Sequence, residues 1–215
     1  MELGLNDKVI ILTAGEKSIS GCINILCGEG ANIVILGENL LQKQLLQEEM
    51  IKFNNKLFIL DTLLQDSDEC DKAIRAVMHK YGRIDGLVNY SEFHSETFSG
   101  HSKTAGFAEW VQKDLSRYYL VTHFALPHIK ITRGVIVNIS FEPGDAEKHN
   151  PAFAAINGAI NALTREWAVE LLKYGIRVNS LIENMYAPEI GNAVAFLLSE
   201  KSSHTTGQWI RIGRQ

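Results

Sequence analysis

The chain has 215 residues and a mass of 24.0 kDa, 46% of them hydrophobic and 21% charged, which is enough apolar matter for a large core and excludes a disordered chain. A formal charge of -4 and a pI near 6.0, with Lys and Arg scattered, give no basic field, so nucleic acid and anionic membranes are disfavoured as partners. The apolar run Val9 to Leu12, preceded by Glu2, Asp7 and Lys8, is too short for a signal segment or a membrane span, and a cytoplasmic location is expected.

Short β-branched runs alternate with longer stretches of helical period, the pattern of βαβ units and a parallel sheet. Strands are expected at Val9–Leu12, Ile33–Leu36, Leu57–Leu60, Gly86–Asn89, Val135–Ile139, Arg177–Leu181 and Trp209–Ile212. The first two are apolar without alternation, as strands covered on both faces require. Helices are expected between them at Ser20–Glu29, Leu40–Phe53, Asp68–Tyr81, Ala105–Ile129, Pro151–Tyr174 and Glu189–Ser199. Gly30, Gly82 and Gly175 stand where helix C-caps need a left-handed residue. No Pro-, Gly- or Ser-rich linker interrupts the series, so residues 1–215 are expected to form one α/β domain, a doubly wound Rossmann-type sheet of about seven strands with helices on both faces. Cys22, Cys27 and Cys70 have no metal-type spacing and read as reduced, buried groups; no metal site is expected.

In such a sheet the ligand lies at the carboxyl ends of the strands, so the turn after the first strand comes first. It reads Thr13-Ala-Gly-Glu-Lys-Ser-Ile-Ser20. A dinucleotide needs glycines here, because the backbone and a helix N-terminus must approach the pyrophosphate; only Gly15 remains. Further on stand Asp61-Thr62, Asn89-Tyr-Ser-Glu92, Asp114-Leu-Ser-Arg-Tyr-Tyr-Leu-Val-Thr122, Ala152-Phe-Ala-Ala-Ile-Asn157 and Tyr174-Gly-Ile-Arg-Val-Asn-Ser180.

Taken together, these segments resemble the short-chain dehydrogenase/reductase family over essentially the whole chain, as a degenerate member. The stretch Ala162 to Ser180 and the tail Phe196 to Trp209 look most like its sugar dehydrogenase branch, the L-fucose dehydrogenase-like proteins. The resemblance implies a TGxxxGxG turn in which Ala14, Ser18 and Ser20 replace the glycines. It also implies a cofactor surface formed by Thr13, Gly15, Lys17, Ile19, Glu38, Asp61 and Asn89. Glu38 suits an NAD ribose and Lys17 an NADP phosphate, which leaves NAD versus NADP open; surface charge is the plainer reading of both.

The family's mechanism uses a Tyr to exchange a proton with the substrate, a Lys to lower that Tyr pKa, a Ser to hold the oxygen and an Asn to anchor water. By the resemblance those positions carry Phe153, Asn157, Phe141 and Asp114, none of which supplies the required group. Ser140 should point away from the site. His94 and His149 are alternative bases on loops, and Glu16, Glu92 and Asp114 are expected to converge where a pyrophosphate would lie. After Leu181, Ile182-Glu-Asn-Met-Tyr-Ala187 runs directly into Pro188, so the family's substrate lid is expected to be missing.

These expectations describe a catalytically inactive homologue with an interaction or regulatory role, any NAD or NADP binding weakly. The alternative is an NAD(P)-dependent oxidoreductase acting on a sugar or polyol through other residues. Helices 105–129 and 151–174 carry more apolar surface than one sheet face needs. Their pairing is expected to build a homodimer or homotetramer, or a heteromer with an active paralogue, with Tyr118, Tyr119 and Trp167 as aromatics of that interface or, on the plainer reading, of the chain's own core.

Overall fold

A computed structural model describes residues 3–13, 19–40, 44–53, 56–90, 104–142, 151–184 and 190–212. Seven parallel strands, β1 (Val9–Thr13), β2 (Asn32–Gly37), β3 (Leu57–Asp61), β4 (Gly86–Tyr90), β5 (Val135–Glu142), β6 (Arg177–Asn184) and β7 (Trp209–Ile212), form one sheet in the order β3-β2-β1-β4-β5-β6-β7. The connections are α1 (Ile19–Gly28), α2 (Gln44–Lys52), α3 (Ser67–Tyr81), α4 (Thr104–Thr132), α5 (Pro151–Leu171) and α6 (Ile190–Leu198). This is the expected Rossmann-type arrangement. Strand order reverses between β1 and β4, which puts the ligand crevice of such a sheet above their carboxyl ends.

All five β1 residues are buried because helices cover both faces of the sheet. On one face Ile10, Leu12, Val88, Val137 and Leu181 pack under Ile23 and Leu26 of α1 and Val194 of α6. On the other, Ile11, Leu87, Ile136 and Val178 pack under Val77 of α3, Val121 of α4 and Leu171 of α5. The two first turns on the α1/α6 face meet closely: a Cβ on Gly191 would lie 2.5 Å from the Gly21 carbonyl oxygen.

Helix α3 shows how local chemistry sets a boundary. The Asp66 carboxylate accepts from the backbone N–H groups of Asp68 and Glu69 at 2.9 and 3.0 Å, satisfying donors that the first turn leaves open. Gly82, at φ 68°, ends the helix by donating to the Met78 carbonyl. Gly30 and Gly175 also have positive φ, at 84° and 73°.

The structure departs from the sequence pattern at several element ends. β5 and β6 run three residues past their expected ends, pairing Ser140 with Ile182, Phe141 with Glu183 and Glu142 with Asn184. α5 stops at Leu171 and tightens into a 3₁₀ turn, Leu172–Tyr174. Tyr118, expected at an interface or in the core, takes the core place: it is 2% exposed and donates to the Ile139 carbonyl at 2.5 Å. Trp167 likewise packs partly buried against the core layer beneath α5. Tyr118 thus serves the core of a single chain, while Tyr119 faces outward, 52% exposed.

Candidate active site

Asp114 and Tyr118 of α4, Phe141 at the end of β5, and Phe153, Ile156, Asn157 and Ile160 of α5 line one cleft. The four positions that the sequence singled out for catalysis, Asp114, Phe141, Phe153 and Asn157, therefore meet in space. They come together because α4 and α5 pack side by side on one face of β5. Phe153 is 5% exposed and brings a ring without an ionisable oxygen. The Asn157 amide does not project into the cleft's mouth as a long cationic side chain would. It is clamped to the strand: Nδ2 donates to the Phe141 carbonyl at 2.5 Å, and Oδ1 accepts from the Phe141 N–H at 3.3 Å. Ser140 is 1% exposed and lies 3.5 Å from the Leu181 carbonyl oxygen, on the sheet rather than in the cleft.

The polar spine behind the cleft is fully internal. Asn89 donates to Thr122 Oγ1 at 3.0 Å and to Asn138 Oδ1 at 2.9 Å, and Asn138 donates to Thr164 Oγ1 at 2.8 Å. Thr13 Oγ1 donates to the Tyr90 carbonyl at 2.7 Å and accepts from the Tyr90 N–H at 2.6 Å, so it ties β1 to β4 at the strand ends. Asn89 and Thr13, read from the sequence as cofactor contacts, both hold the sheet.

On the α1/α6 face of the same edge, Tyr90 stacks edge-on to Phe141, ring centroids 5.3 Å apart, and donates to Glu183 Oε2 at 3.3 Å. Glu183 is fully buried. The Cys22 thiol, in the first turn of α1, is pushed up to about 12, by burial first and then by the Glu183 charge. Tyr90 and Glu183 were not singled out from the sequence. A carboxylate directly after the apolar pair Leu181-Ile182 was the available signal.

At the β2 end, Glu38 is part-buried and paired, not free surface charge: Arg117 of α4 donates to Glu38 Oε1 at 2.9 Å. Asp61 Oδ1 accepts from the Leu40 N–H at 2.6 Å, fixing the turn after β2. Ile19 is buried among the α1/α6 core residues, so its side chain is not presented to a ligand. Ser20 donates to Glu49 of α2 at 3.0 Å. Ala14, Gly15, Glu16, Lys17 and Ser18, together with Glu92, His94 and His149, lie outside the described residues. Among the described residues no group of His, Cys, Asp and Glu could hold a metal, the three cysteines are free and buried, and no helix is long and apolar enough to cross a membrane.

The family model for short chain dehydrogenases matches residues 8–194. The chain belongs to the short-chain dehydrogenase/reductase family. Among curated relatives, L-fucose dehydrogenase of Bos taurus is 26% identical over 185 residues, covering 84% of this chain and 67% of that protein. The Oryctolagus cuniculus L-fucose dehydrogenase is 29% identical over 189 residues, covering 84% and 64%. The chain thus spans about two thirds of the length of these relatives. Sorbitol-6-phosphate 2-dehydrogenase of Klebsiella pneumoniae is 28% identical, covering 82% and 68%. The crystal structure of Cj0485 dehydrogenase superimposes with a TM-score of 0.88 at 26% identity, covering 98% of this chain and 94% of that one. The homologues of this short-chain dehydrogenase/reductase chain are thus named as oxidoreductases of sugars, a sugar phosphate and other small substrates.

Proposed function

We propose that this family member has given up hydride transfer and acts as a catalytically inactive homologue with an interaction or regulatory role. One observation supports the reading: the four positions that the sequence resemblance assigns to catalysis, Asp114, Phe141, Phe153 and Asn157, line one cleft. Proton exchange with a substrate hydroxyl needs a group that gives and takes a proton at that point, held near neutral pKa by a cation. Phe153 cannot titrate, and Asn157 is neutral and spends its amide on the Phe141 peptide.

Weak dinucleotide binding belongs to the same reading. Thr13, Glu38, Asp61 and Asn89 are engaged with the protein itself, while Tyr90 and Glu183 fill the strand ends between β4 and β6. As placed, these residues do not fit NAD or NADP. Only five residues separate β6 from α6, which leaves no length for a helical lid over substrate, and we take the chain to work as one cytoplasmic domain. Exposed apolar side chains on this helix pair, among them Tyr119 on α4 and Val169 on α5, support assembly through it, either with a second copy or with an active paralogue.

The test is a titration with NAD(H) and NADP(H), read by tryptophan fluorescence and by thermal shift, since a ligand that binds the native state raises the melting point. No saturable signal at micromolar ligand is expected. Stoichiometric micromolar binding overturns the cofactor part of the proposal. A second reading, an NAD(P)-dependent oxidoreductase of a sugar or polyol using other residues, draws on the names of the relatives. Turnover by the unmodified protein separates it from the first.

A further inference from the structure

The geometry points to Arg117 as the residue that closes the adenosine end of the crevice. In sheets of this kind a carboxylate at the end of β2 reads the ribose hydroxyls of a dinucleotide, and here that carboxylate, Glu38, is held by a guanidinium from α4. The pair spans 79 residues of sequence at 2.9 Å, with side-chain exposures of 16% for Arg117 and 33% for Glu38. Arg117 is positioned from a second side as well, its Nε lying 3.5 Å from Gln65 Oε1.

Three physical points make the pair a latch. Solvent screens a partly buried ion pair less than an exposed one, so its attraction survives. A ribose offers only neutral hydroxyls, whose hydrogen bonds to a carboxylate are weaker than those of a guanidinium. The turn that carries Glu38 is itself fixed, because the Leu40 N–H is bound to Asp61 and Asn39 holds a left-handed φ of 55°. A ribose therefore competes with Arg117 for the Glu38 carboxylate, one oxygen of which the guanidinium already holds, and Arg117 sets how costly that competition is. This goes beyond the loss of catalysis, since Arg117 lies outside the cleft of Asp114, Phe141, Phe153 and Asn157.

Calorimetry with ADP-ribose on the full chain tests it. Arg117→Gln should bind ADP-ribose about tenfold tighter than the unmodified protein, and the gain should vanish in the double variant Arg117→Gln/Glu38→Gln, because the two residues act as a coupled pair. A folded Arg117→Gln that binds no tighter, or a double variant that keeps the gain, overturns the proposal. The second arm does not depend on removing Arg117. Glu38→Ala frees the guanidinium for a 2′-phosphate, so this variant should bind 2′-phospho-ADP-ribose about tenfold tighter than ADP-ribose; equal affinities contradict the assignment. Tight binding of ADP-ribose by the unmodified protein would count against weak cofactor affinity, yet the comparison between variants still decides the role of Arg117.

Discussion

Asn157 and Phe141 exchange two hydrogen bonds, amide to peptide, across the junction of α5 and β5. The Asn157 side chain, at the position that the sequence resemblance assigns to a lysine, is thereby built into the fold, and the nearby Phe153 is buried. Restoring the family residues has to displace this arrangement. The double variant Phe153→Tyr/Asn157→Lys is expected to show no hydride transfer. It should also melt a few degrees lower, because two hydrogen bonds are lost, at about 1 kcal/mol each. Measurable turnover by the variant, with an unchanged melting point, would show that this junction is no obstacle.

The buried chain Thr122–Asn89–Asn138–Thr164 fixes β4 and β5 to α4 and α5. Asn138→Ala removes the central member, so that Asn89 keeps its bond to Thr122 and Thr164 its bond to the Ile160 carbonyl while each loses its bond to Asn138; a buried polar group left short of a partner costs about 1–3 kcal/mol. Chemical denaturation should show a loss of about 2–4 kcal/mol with an unchanged slope. A loss under about 0.5 kcal/mol, the size of an ordinary surface substitution, would mean that the network contributes nothing net.

Asp85 governs part of the acid response. Burial alone would raise its pKa, but the paired Arg83 guanidinium, the Val9 N–H at 2.9 Å and Lys8 together hold it below the usual carboxylate value. The native pKa lies below the unfolded one, so the stabilisation is full above the unfolded value near about 3.9 and is lost as pH falls through the native value. Asp85→Asn should be less stable than the unmodified protein by about 2 kcal/mol at neutral pH, with the gap closing below about pH 4. A gap that is constant from neutral to acid pH would remove the ionic part of this explanation.

The cysteines give a chemical check on the packing. Burial first raises all three, to about 12 for Cys22 and about 11 for Cys27 and Cys70, and neighbouring carboxylates add to it. Thiolate is the reactive form, so a thiol reagent at mildly alkaline pH should label none of them until the protein is unfolded. Rapid labelling of Cys22 in the native state would place α1 differently.

The sheet was legible in the sequence because buried parallel strands are written as unbroken apolar runs, as in Val9–Leu12 and Ile33–Leu36. It failed at the ends of β5 and β6, where Phe141 pairs with Glu183: a carboxylate breaks the apolar pattern, and its burial beside the neighbouring strand and the Tyr90 hydroxyl is a tertiary fact. The cleft positions were legible through motif spacing alone. The partners were not, since Glu38 and Arg117 have no local relationship and sequence shows the type of a charge without its counterion. Trp167 could not be assigned for a related reason, as a helix with two apolar stripes does not reveal which one faces its own sheet.

Assembly is better tested on the outward face than at Trp167. Ala162 and Tyr119 are exposed in the single chain, so a charge at either position should be harmless to the fold but fatal to a packed helix pair. Ala162→Glu is expected to shift the protein from dimer to monomer in sedimentation at about tens of micromolar, with its melting behaviour at high dilution unchanged. An unmodified protein that already sediments as a monomer would refute the interface.

The central claim is that hydride transfer is absent, and turnover measures it most directly. The purified, unmodified chain is followed spectroscopically for oxidation of NADH and NADPH, and for reduction of NAD and NADP, against L-fucose, other aldoses, polyols and their ketones. The account predicts no enzyme-dependent rate with any pair at any pH between mild acid and mild alkali, because Phe153 and Asn157 supply neither the proton nor the charge. A steady, saturable rate that scales with protein concentration and disappears on Asp114→Ala would contradict it and establish a working active site in this cleft.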